Sequence, residues 1–172
     1  MFRRALFDPL TGLPEVAVFM ETVRDAVATA GASVLGLLLV RLDMLRPDGR
    51  SPDIAPPDDV MVEVAGRLAG GVRRDETVAR IGPESFAVLL KVPSGTVVDC
   101  VARRVVDDLR KPLRNWGGAP PTASVGVAVS SKGCGADGLL RMARIAMFEA
   151  RDAGGNCHRH FADARLSDDT AS

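Results

Sequence analysis

The sequence predicts an α/β (α+β) sandwich, in which an antiparallel or mixed sheet of five strands is covered by helices. Two observations support this fold class. Segments whose apolar residues recur at helical spacing alternate with short strand-like runs, and two of those runs are separated only by a short glycine-containing turn. The predicted helices cover residues 15–30, 58–68, 97–109 and 139–153, and the predicted strands cover residues 34–42, 77–81, 86–91, 122–129 and 158–161.

The helix predictions rest on apolar spacing and on the residues that end each segment. Gly31 follows the first helical segment, and the Gly70-Gly71 pair follows the second. Pro112 follows the third segment and Gly154-Gly155 the fourth; glycine and proline are common just beyond a helix end. Asp58 stands directly before the apolar residues of the second segment, where an aspartate is a preferred N-cap.

The strand predictions rest on residue type and on the breaks between strands. Residues 34–42 form an apolar run of leucine and β-branched residues, as in a buried central strand, and residues 122–129 alternate. Residues 46–57 contain four prolines and one glycine and are predicted to form a loop. We expect residues 1–161 to form one domain and the small, polar residues 162–172 to form a disordered tail.

Composition argues against several classes of function. The chain has 172 residues with 22 basic and 22 acidic side chains, so no net charge would draw it to nucleic acid or to an anionic membrane. Aromatic residues make up 4% and tyrosine is absent, which removes the stacking surfaces that single-stranded nucleic acid requires. No apolar run approaches the roughly 20 residues needed to span a bilayer. We therefore expect no nucleic-acid partner and no membrane insertion.

The cysteines and histidines predict a reduced, cytoplasmic protein. The three cysteines, Cys100, Cys134 and Cys157, are odd in number and far apart, with no C-x-x-C pair, and the two histidines, His158 and His160, lie near the end of the chain. This spacing predicts neither a zinc site nor a disulfide framework. We therefore expect free thiols and a cytoplasmic location.

A carboxylate-bearing turn joins the two closest strands. Residues 80–86 read R-I-G-P-E-S-F, with Glu84 in the turn. A short turn that presents a carboxylate between two strands is a suitable place to hold a metal ion and a phosphate, because hard metal ions prefer oxygen ligands. The turn is therefore a candidate site from its residues alone.

Four motifs in order resemble the GGDEF domain, the diguanylate cyclase fold of bacterial cyclic-di-GMP signalling. Residues 8–14 resemble the opening D-x-L-T-G-L-P, and residues 82–86 resemble the namesake Gly-Gly-Asp/Glu-Glu-Phe in the form G-P-E-S-F. Residues 122–128 resemble T-x-S-x-G-x-A, and residues 146–156 resemble A-M-Y-x-A-K…G-x-N. The resemblance covers residues 8–161. It implies a nucleotidyl-cyclase-like sandwich with a central, mostly antiparallel five-stranded sheet flanked by helices.

The chemistry that the resemblance implies is the condensation of two GTP molecules on a dimer, with a divalent metal such as Mg²⁺ held by carboxylates. The matching positions depart from the family pattern. Arg41 occupies the position of the first metal ligand, and Asp43 matches the second acid of that strand-end motif. Glu84 keeps the third-position acid, Ser85 replaces the catalytic glutamate, and Pro83 replaces the second glycine. We expect Arg41 to pair with Glu84 or Asp43.

The nucleotide-reading positions depart as well. Gly49 falls where the family's base-reading asparagine would stand, and Asp58, the predicted N-cap, falls on its acidic partner. Arg151 takes the place of a phosphate-contacting lysine. Arg151 and Asp58 are thus the remaining candidates for nucleotide contact.

The inhibitory product site that the resemblance implies is an R-x-x-D motif just before the hairpin. The matching positions begin at Arg73 and Arg74 and end with Glu76 in place of aspartate. These three residues are either a product-binding site or an exposed charged turn, since solvated charges are common at such positions.

Three functions follow from these positions. The first is a degenerate GGDEF domain without cyclase activity, needing no cofactor and acting as a regulatory, nucleotide-sensing or protein-interaction module. The second is a weak or rewired cyclase that uses Mg²⁺ in another geometry, with Glu84 and Asp43 as ligands and Asp58 as a further candidate. The third is a cyclic-di-GMP receptor through Arg73, Arg74 and Glu76. The corresponding partners are GTP or cyclic-di-GMP, together with a protein partner or a second copy of the chain.

Overall fold

The computed structural model describes residues 6–44 and 55–162. Within those ranges four helices and five strands follow one another in the predicted order. None of these helices is long and apolar enough to cross a membrane. The helices are α1 (Val16–Thr29), α2 (Asp58–Gly70), α3 (Gly95–Leu109) and α4 (Ala136–Asp152), and the strands are β1 (Val34–Asp43), β2 (Thr77–Arg80), β3 (Ser85–Val92), β4 (Thr122–Val129) and β5 (Cys157–His160).

The five described strands form one sheet in the order β2-β3-β1-β4-β5. β1 lies at the centre and runs antiparallel to β3 and β4, and β2 runs antiparallel to β3. β5 runs parallel to β4, and α4 forms the crossover between them because parallel neighbours cannot be joined by a tight turn. The prediction of a mostly antiparallel, five-stranded sheet flanked by helices is confirmed.

Side chains of β1 alternate between two apolar layers. Those at positions 38, 40 and 42 pack with α2 and α3, whereas those at positions 35, 37 and 39 pack with α1 and α4. These six side chains are buried, and each contributes about 1.5–3 kcal/mol to folding. The same two-residue period places Arg41 and Asp43 on the face that carries α1 and α4. Packing of the strand therefore decides which side of the sheet these charged residues occupy.

Close packing of α4 on the sheet depends on Gly126 in β4. A β-carbon at this position would lie 2.7 Å from the Cβ atom of Met147 and would overlap the backbone oxygen of Ala143 and the backbone nitrogen of Met147. Only glycine therefore lets the helix backbone approach β4 this closely. The approach brings Arg151, in the last turn of α4, within electrostatic range of Asp43.

The N-cap predicted at Asp58 is wrong. Pro57 is the N-cap of α2, because its carbonyl oxygen accepts the first helical hydrogen bond from the nitrogen of Met61, at 3.1 Å. Asp58 is the first helical residue and makes no side-chain cap. With Asp59 it places negative charge in the first turn, where the helix dipole favours it.

The remaining element boundaries differ little from the predicted ones. α3 begins at Gly95 and α4 at Ala136, rather than at residues 97 and 139. Small and polar residues fill these first turns, so apolar spacing alone cannot detect them. Most of the predicted loop, residues 45–54, and the predicted tail from residue 163 onward lie outside the described residues.

Candidate functional site

The β2–β3 turn closes directly on the end of β1. The backbone nitrogen of Leu42 donates to the oxygen of Glu84 at 2.9 Å, and the nitrogen of Ile81 donates to the oxygen of Ser85 at 2.9 Å. Arg41 lies opposite Ser85 in the β1–β3 register and opposite Ser124 in the β1–β4 register. The candidate residues at the strand end and in the turn are thus brought together by strand pairing.

Arg41 and Glu84 form an ion pair across this junction. The Nη2 atom of Arg41 lies 3.1 Å from the Oε1 atom of Glu84, and the two side chains are 24% and 30% exposed. The pairing expected for Arg41 is therefore confirmed. Because solvent reaches both groups, the pair stabilises the fold by about 1 kcal/mol or less. Its main effect is to neutralise the carboxylate that the turn presents.

Asp43 shares the face of Arg41, but its carboxylate is used inside the fold. The side chain is 8% exposed and accepts a hydrogen bond from the Ser124 hydroxyl at 2.6 Å. Burial raises the pKa of Asp43, although the Ser124 bond and the charges of Arg41 and Arg151 act in the opposite direction. A carboxylate held in this way is poorly placed to take up a metal ion.

The turn between α4 and β5 packs against this carboxylate. Gly155 has a φ of +71°, a conformation that side chains with a β-carbon rarely adopt. A β-carbon there would lie 2.7 Å from the Oδ2 atom of Asp43. Close contact and backbone geometry thus both require glycine, and Asp43 connects β1 and β4 to the turn that leads into β5.

Arg80 braces the hairpin, a role that sequence reasoning missed. Its Nη1 atom lies 3.1 Å from both carboxylate oxygens of Asp8, and its Nε and Nη2 atoms donate to the carbonyl oxygens of Gly82 and Pro83 at 3.2 and 3.1 Å. Asp8 also accepts bonds from the nitrogen and the hydroxyl of Thr11, at 2.8 and 2.6 Å. Burial alone would raise the pKa of Asp8, but the contacts with Thr11 and Arg80 outweigh burial and lower this pKa below its ordinary value.

This brace connects the opening motif to the hairpin. Asp8 and Thr11 belong to the D-x-L-T-G-L-P segment, and Arg80 precedes the turn by two residues. Both ends of the brace lie in recognisable motifs, Asp8 in residues 8–14 and Arg80 in residues 80–86. The contact itself joins residues 72 positions apart in the chain, and sequence patterns carry no information on such a pairing.

The remaining nucleotide-binding candidates lie at the ends of two different helices. Asp58 is exposed in the first turn of α2, and Arg151 is exposed in the last turn of α4, and no hydrogen bond or ion pair among the described residues joins the two. Gly49, the position matched to a base-reading asparagine, lies outside the described residues. The described geometry therefore does not assemble a base-reading pair.

The three residues of the product-site-like motif lie in the turn between α2 and β2. The Oε2 atom of Glu76 accepts a hydrogen bond from the backbone nitrogen of Arg73 at 2.7 Å, and the nitrogen of Glu76 donates to the oxygen of Arg73 at 3.1 Å. The side chains of Arg73 and Arg74 are exposed. Glu76 thus closes its own turn, while the two guanidinium groups face solvent.

A central antiparallel strand that ends against a carboxylate-bearing hairpin, inside a helix-covered sheet, defines a cyclase-like α/β sandwich. The family model described as "Diguanylate cyclase, GGDEF domain" matches residues 5–157. The chain belongs to the GGDEF domain family and is thus a GGDEF domain of cyclic-di-GMP signalling.

Known proteins similar to this chain include cyclases from Pseudomonas aeruginosa. Diguanylate cyclase TpbB is 29% identical over 154 residues, a match that covers 86% of this chain and 35% of that protein. The solved GGDEF domain of TpbB is 27% identical with a TM-score of 0.81, covering 94% of this chain and 99% of that one.

A third similar protein was solved with a protein partner. Diguanylate cyclase SiaD from Pseudomonas aeruginosa, in complex with its activator SiaC, is 27% identical with a TM-score of 0.77, covering 91% of this chain and 62% of that one. The chain spans about a third of the length of TpbB, at 35%. The activities and partners of these longer proteins therefore do not transfer directly to this chain.

Proposed function

We propose that this GGDEF domain lacks diguanylate cyclase activity and acts as a regulatory module that binds a protein partner or senses a nucleotide. The observation that supports this proposal is the ion pair between Arg41 and Glu84, at 3.1 Å. By resemblance to the family, these two positions are the ones from which a cyclase would hold its metal ion. Here one of them is a cation, and it neutralises the other.

The residues present do not fit magnesium. Mg²⁺ requires carboxylate oxygens in near-octahedral geometry, and Glu84 would have to leave Arg41 to provide one. A divalent cation about 5 Å from a guanidinium would be repelled by about 2–7 kcal/mol for effective dielectric constants of about 80 to 20. Asp43 does not compensate, because it is buried and bonded to Ser124. We therefore derive no catalytic step through a metal ion.

The position of the catalytic glutamate adds a second obstacle. Ser85 offers a hydroxyl there, which neither carries charge nor accepts a proton near neutral pH. The catalytic residues of one active site act as a unit, so keeping one of them does not restore activity when several others are replaced. Glu84 alone does not make a cyclase.

A binding role is compatible with the fold that remains. The two apolar layers are intact, and the brace between Arg80 and Asp8 keeps the hairpin in place. A protein that contains a similar fold, the diguanylate cyclase SiaD, was solved in complex with its activator SiaC. We propose that the surface of this domain, rather than chemistry at its hairpin, carries the signal.

The test is GTP turnover on the purified chain. We expect no cyclic-di-GMP after incubation with GTP and either Mg²⁺ or Mn²⁺, and no tight Mg²⁺ binding in calorimetry. Arg41→Asp removes the repulsion and is expected to raise Mg²⁺ affinity at least about tenfold. Arg110→Asp, which makes the same charge change at an exposed helix end, is the matched control. Turnover by the unmodified chain would refute the proposal.

A second candidate function is a cyclic-di-GMP receptor. The observation that favours it is the pair of exposed guanidinium groups of Arg73 and Arg74, which make no ion pair with any other residue that the structure describes. Guanidinium groups suit phosphate oxygens and purine faces. Calorimetry with cyclic-di-GMP on the unmodified chain and on Arg73→Ala tests this candidate. If the unmodified chain does not bind cyclic-di-GMP below millimolar concentration, the receptor function is refuted.

A further inference from the structure

A second cluster of chemically active side chains lies away from the hairpin, where α3 meets β5. His158 and His160 are two positions apart in β5, so both side chains lie on the same face of this edge strand. They pair in register with Val125 and Val127 of β4, whose side chains belong to the apolar layer under α3. Asp99, in the second turn of α3, faces them. Side chains of α3 and β5 thus meet at one point.

Although the spacing of cysteines and histidines predicts no zinc site, we propose that Asp99, His158 and His160 form a binding site for a late first-row divalent metal ion such as Zn²⁺. The Oδ1 atom of Asp99 lies 2.9 Å from Nε2 of His158 and 2.8 Å from Nε2 of His160, and all three ligand atoms lie within 4.8 Å of one another. The cluster lies on the face of the sheet that α3 covers, whereas Arg41 and Asp43 lie on the opposite face. The proposal does not depend on the proposed function.

The spacing of the three atoms is close to that of a metal site. Zinc bonds of about 2.0–2.2 Å in a tetrahedron place neighbouring ligand atoms about 3.4 Å apart. The oxygen–nitrogen distances observed, 2.8 and 2.9 Å, would have to open by about 0.5 Å. Rotation of side chains supplies a shift of that size, so the backbone need not move.

The two imidazoles can also change tautomer to accept a metal ion. In the metal-free cluster each Nε2 atom carries a proton and donates it to the same carboxylate oxygen. A metal ion at Nε2 requires the proton on Nδ1 instead. His160 is 43% exposed and His158 is 20% exposed, so both rings can exchange these protons with water. The metal ion replaces two hydrogen bonds that converge on one oxygen.

The second oxygen of Asp99 is already occupied. Its Oδ2 atom accepts a bond from Nη2 of Arg103 at 3.0 Å. This contact directs Oδ1 toward the imidazoles and favours a single oxygen ligand, as partners of metal-binding carboxylates commonly do. The Arg103 side chain is 67% exposed, so solvent screens its positive charge from a bound cation.

The ligand types select the class of metal. Two imidazoles and one carboxylate suit Zn²⁺, Ni²⁺ or Cu²⁺, whereas Mg²⁺ and Ca²⁺ prefer oxygen ligands alone. Three protein ligands leave one tetrahedral position open to water. A bound ion would fasten α3 to β5, an edge strand of four residues. It would thereby stiffen the segment whose Gly155 packs against Asp43.

Zinc titration of the full chain tests the site. Calorimetry is expected to show one Zn²⁺ per chain, and zinc at about a hundredfold excess over its dissociation constant should raise Tm by about 5–10 °C. His158→Ala, His160→Ala and Asp99→Asn should each weaken binding at least about tenfold. Asp99→Asn keeps the side-chain shape, so it separates loss of a ligand from loss of the fold, which circular dichroism monitors.

The thiols and the histidine count supply the controls. A triple variant with serine at Cys100, Cys134 and Cys157 should bind zinc with unchanged stoichiometry, since no thiol is a proposed ligand. The chain has only two histidines, so coupling to the remote nitrogen of an imidazole in pulsed Cu²⁺ electron paramagnetic resonance must come from this pair. Three results would each overturn the proposal: no binding at millimolar zinc, stoichiometric binding by a double variant that carries both His158→Ala and His160→Ala, or binding lost in the cysteine variant.

Discussion

Replacing Gly126 with alanine tests whether the close approach of α4 to β4 organises this domain. The added β-carbon would lie 2.7 Å from Cβ of Met147 and would overlap two backbone atoms of α4. Backbone atoms cannot rotate away, so the helix must shift from the sheet. Overpacking of this kind destabilises by about 3 kcal/mol, which lowers Tm by about 6–12 °C in a chain of this size.

Urea unfolding followed by circular dichroism measures the effect of Gly126→Ala. Gly66→Ala is the matched control, because Gly66 lies in α2 and a β-carbon there would meet nothing within 4 Å. Alanine in a helix interior is expected to stabilise by about 0.5–1 kcal/mol relative to glycine. The two alanine variants should therefore move the unfolding midpoint in opposite directions. An unfolding free energy of Gly126→Ala within about 0.5 kcal/mol of the unmodified chain would refute the packing argument.

Two further predictions concern carboxylates at the candidate site. The raised pKa of Asp43 means that the folded chain binds its proton more tightly than the unfolded chain, so its contribution to stability falls as pH rises from the ordinary value of 3.8 through the raised pKa. The unfolding free energy of the unmodified chain minus that of Asp43→Asn should therefore decrease with pH; a difference that stays flat from pH 4 to 8 would contradict this. Asp8→Asn weakens the brace to Arg80 and should lower the unfolding free energy by about 1–3 kcal/mol in urea unfolding. Asp25→Asn, at an exposed position on α1, is the control. An equal loss in this control would show that the brace has no special role.

The candidate site was partly predictable from sequence because its key residues lie in short local motifs. Arg41 ends a recognisable strand and Glu84 lies in a recognisable turn, and the resemblance to the GGDEF family assigns both positions to one site. That resemblance led to the expectation that Arg41 pairs with Glu84 or Asp43, and the structure contains the pair with Glu84. Asp58 was misassigned because the N-cap preference for aspartate is weaker evidence than the backbone of Pro57, whose carbonyl accepts the first helical bond. Local preferences rank residues, but backbone geometry decides which residue begins a helix.

The sequence by itself determined which segments are helices and which are strands, their order, and the family, because apolar period and short motifs are properties of neighbouring residues. Only the tertiary structure decided which distant residues meet. Arg80 and Asp8 are 72 positions apart, and Asp99 lies 59 and 61 positions from His158 and His160. These contacts follow from the strand order and from helices packing on opposite faces of the sheet. Long-range packing has no periodic signature in the chain, so it emerges only when the whole core is assembled.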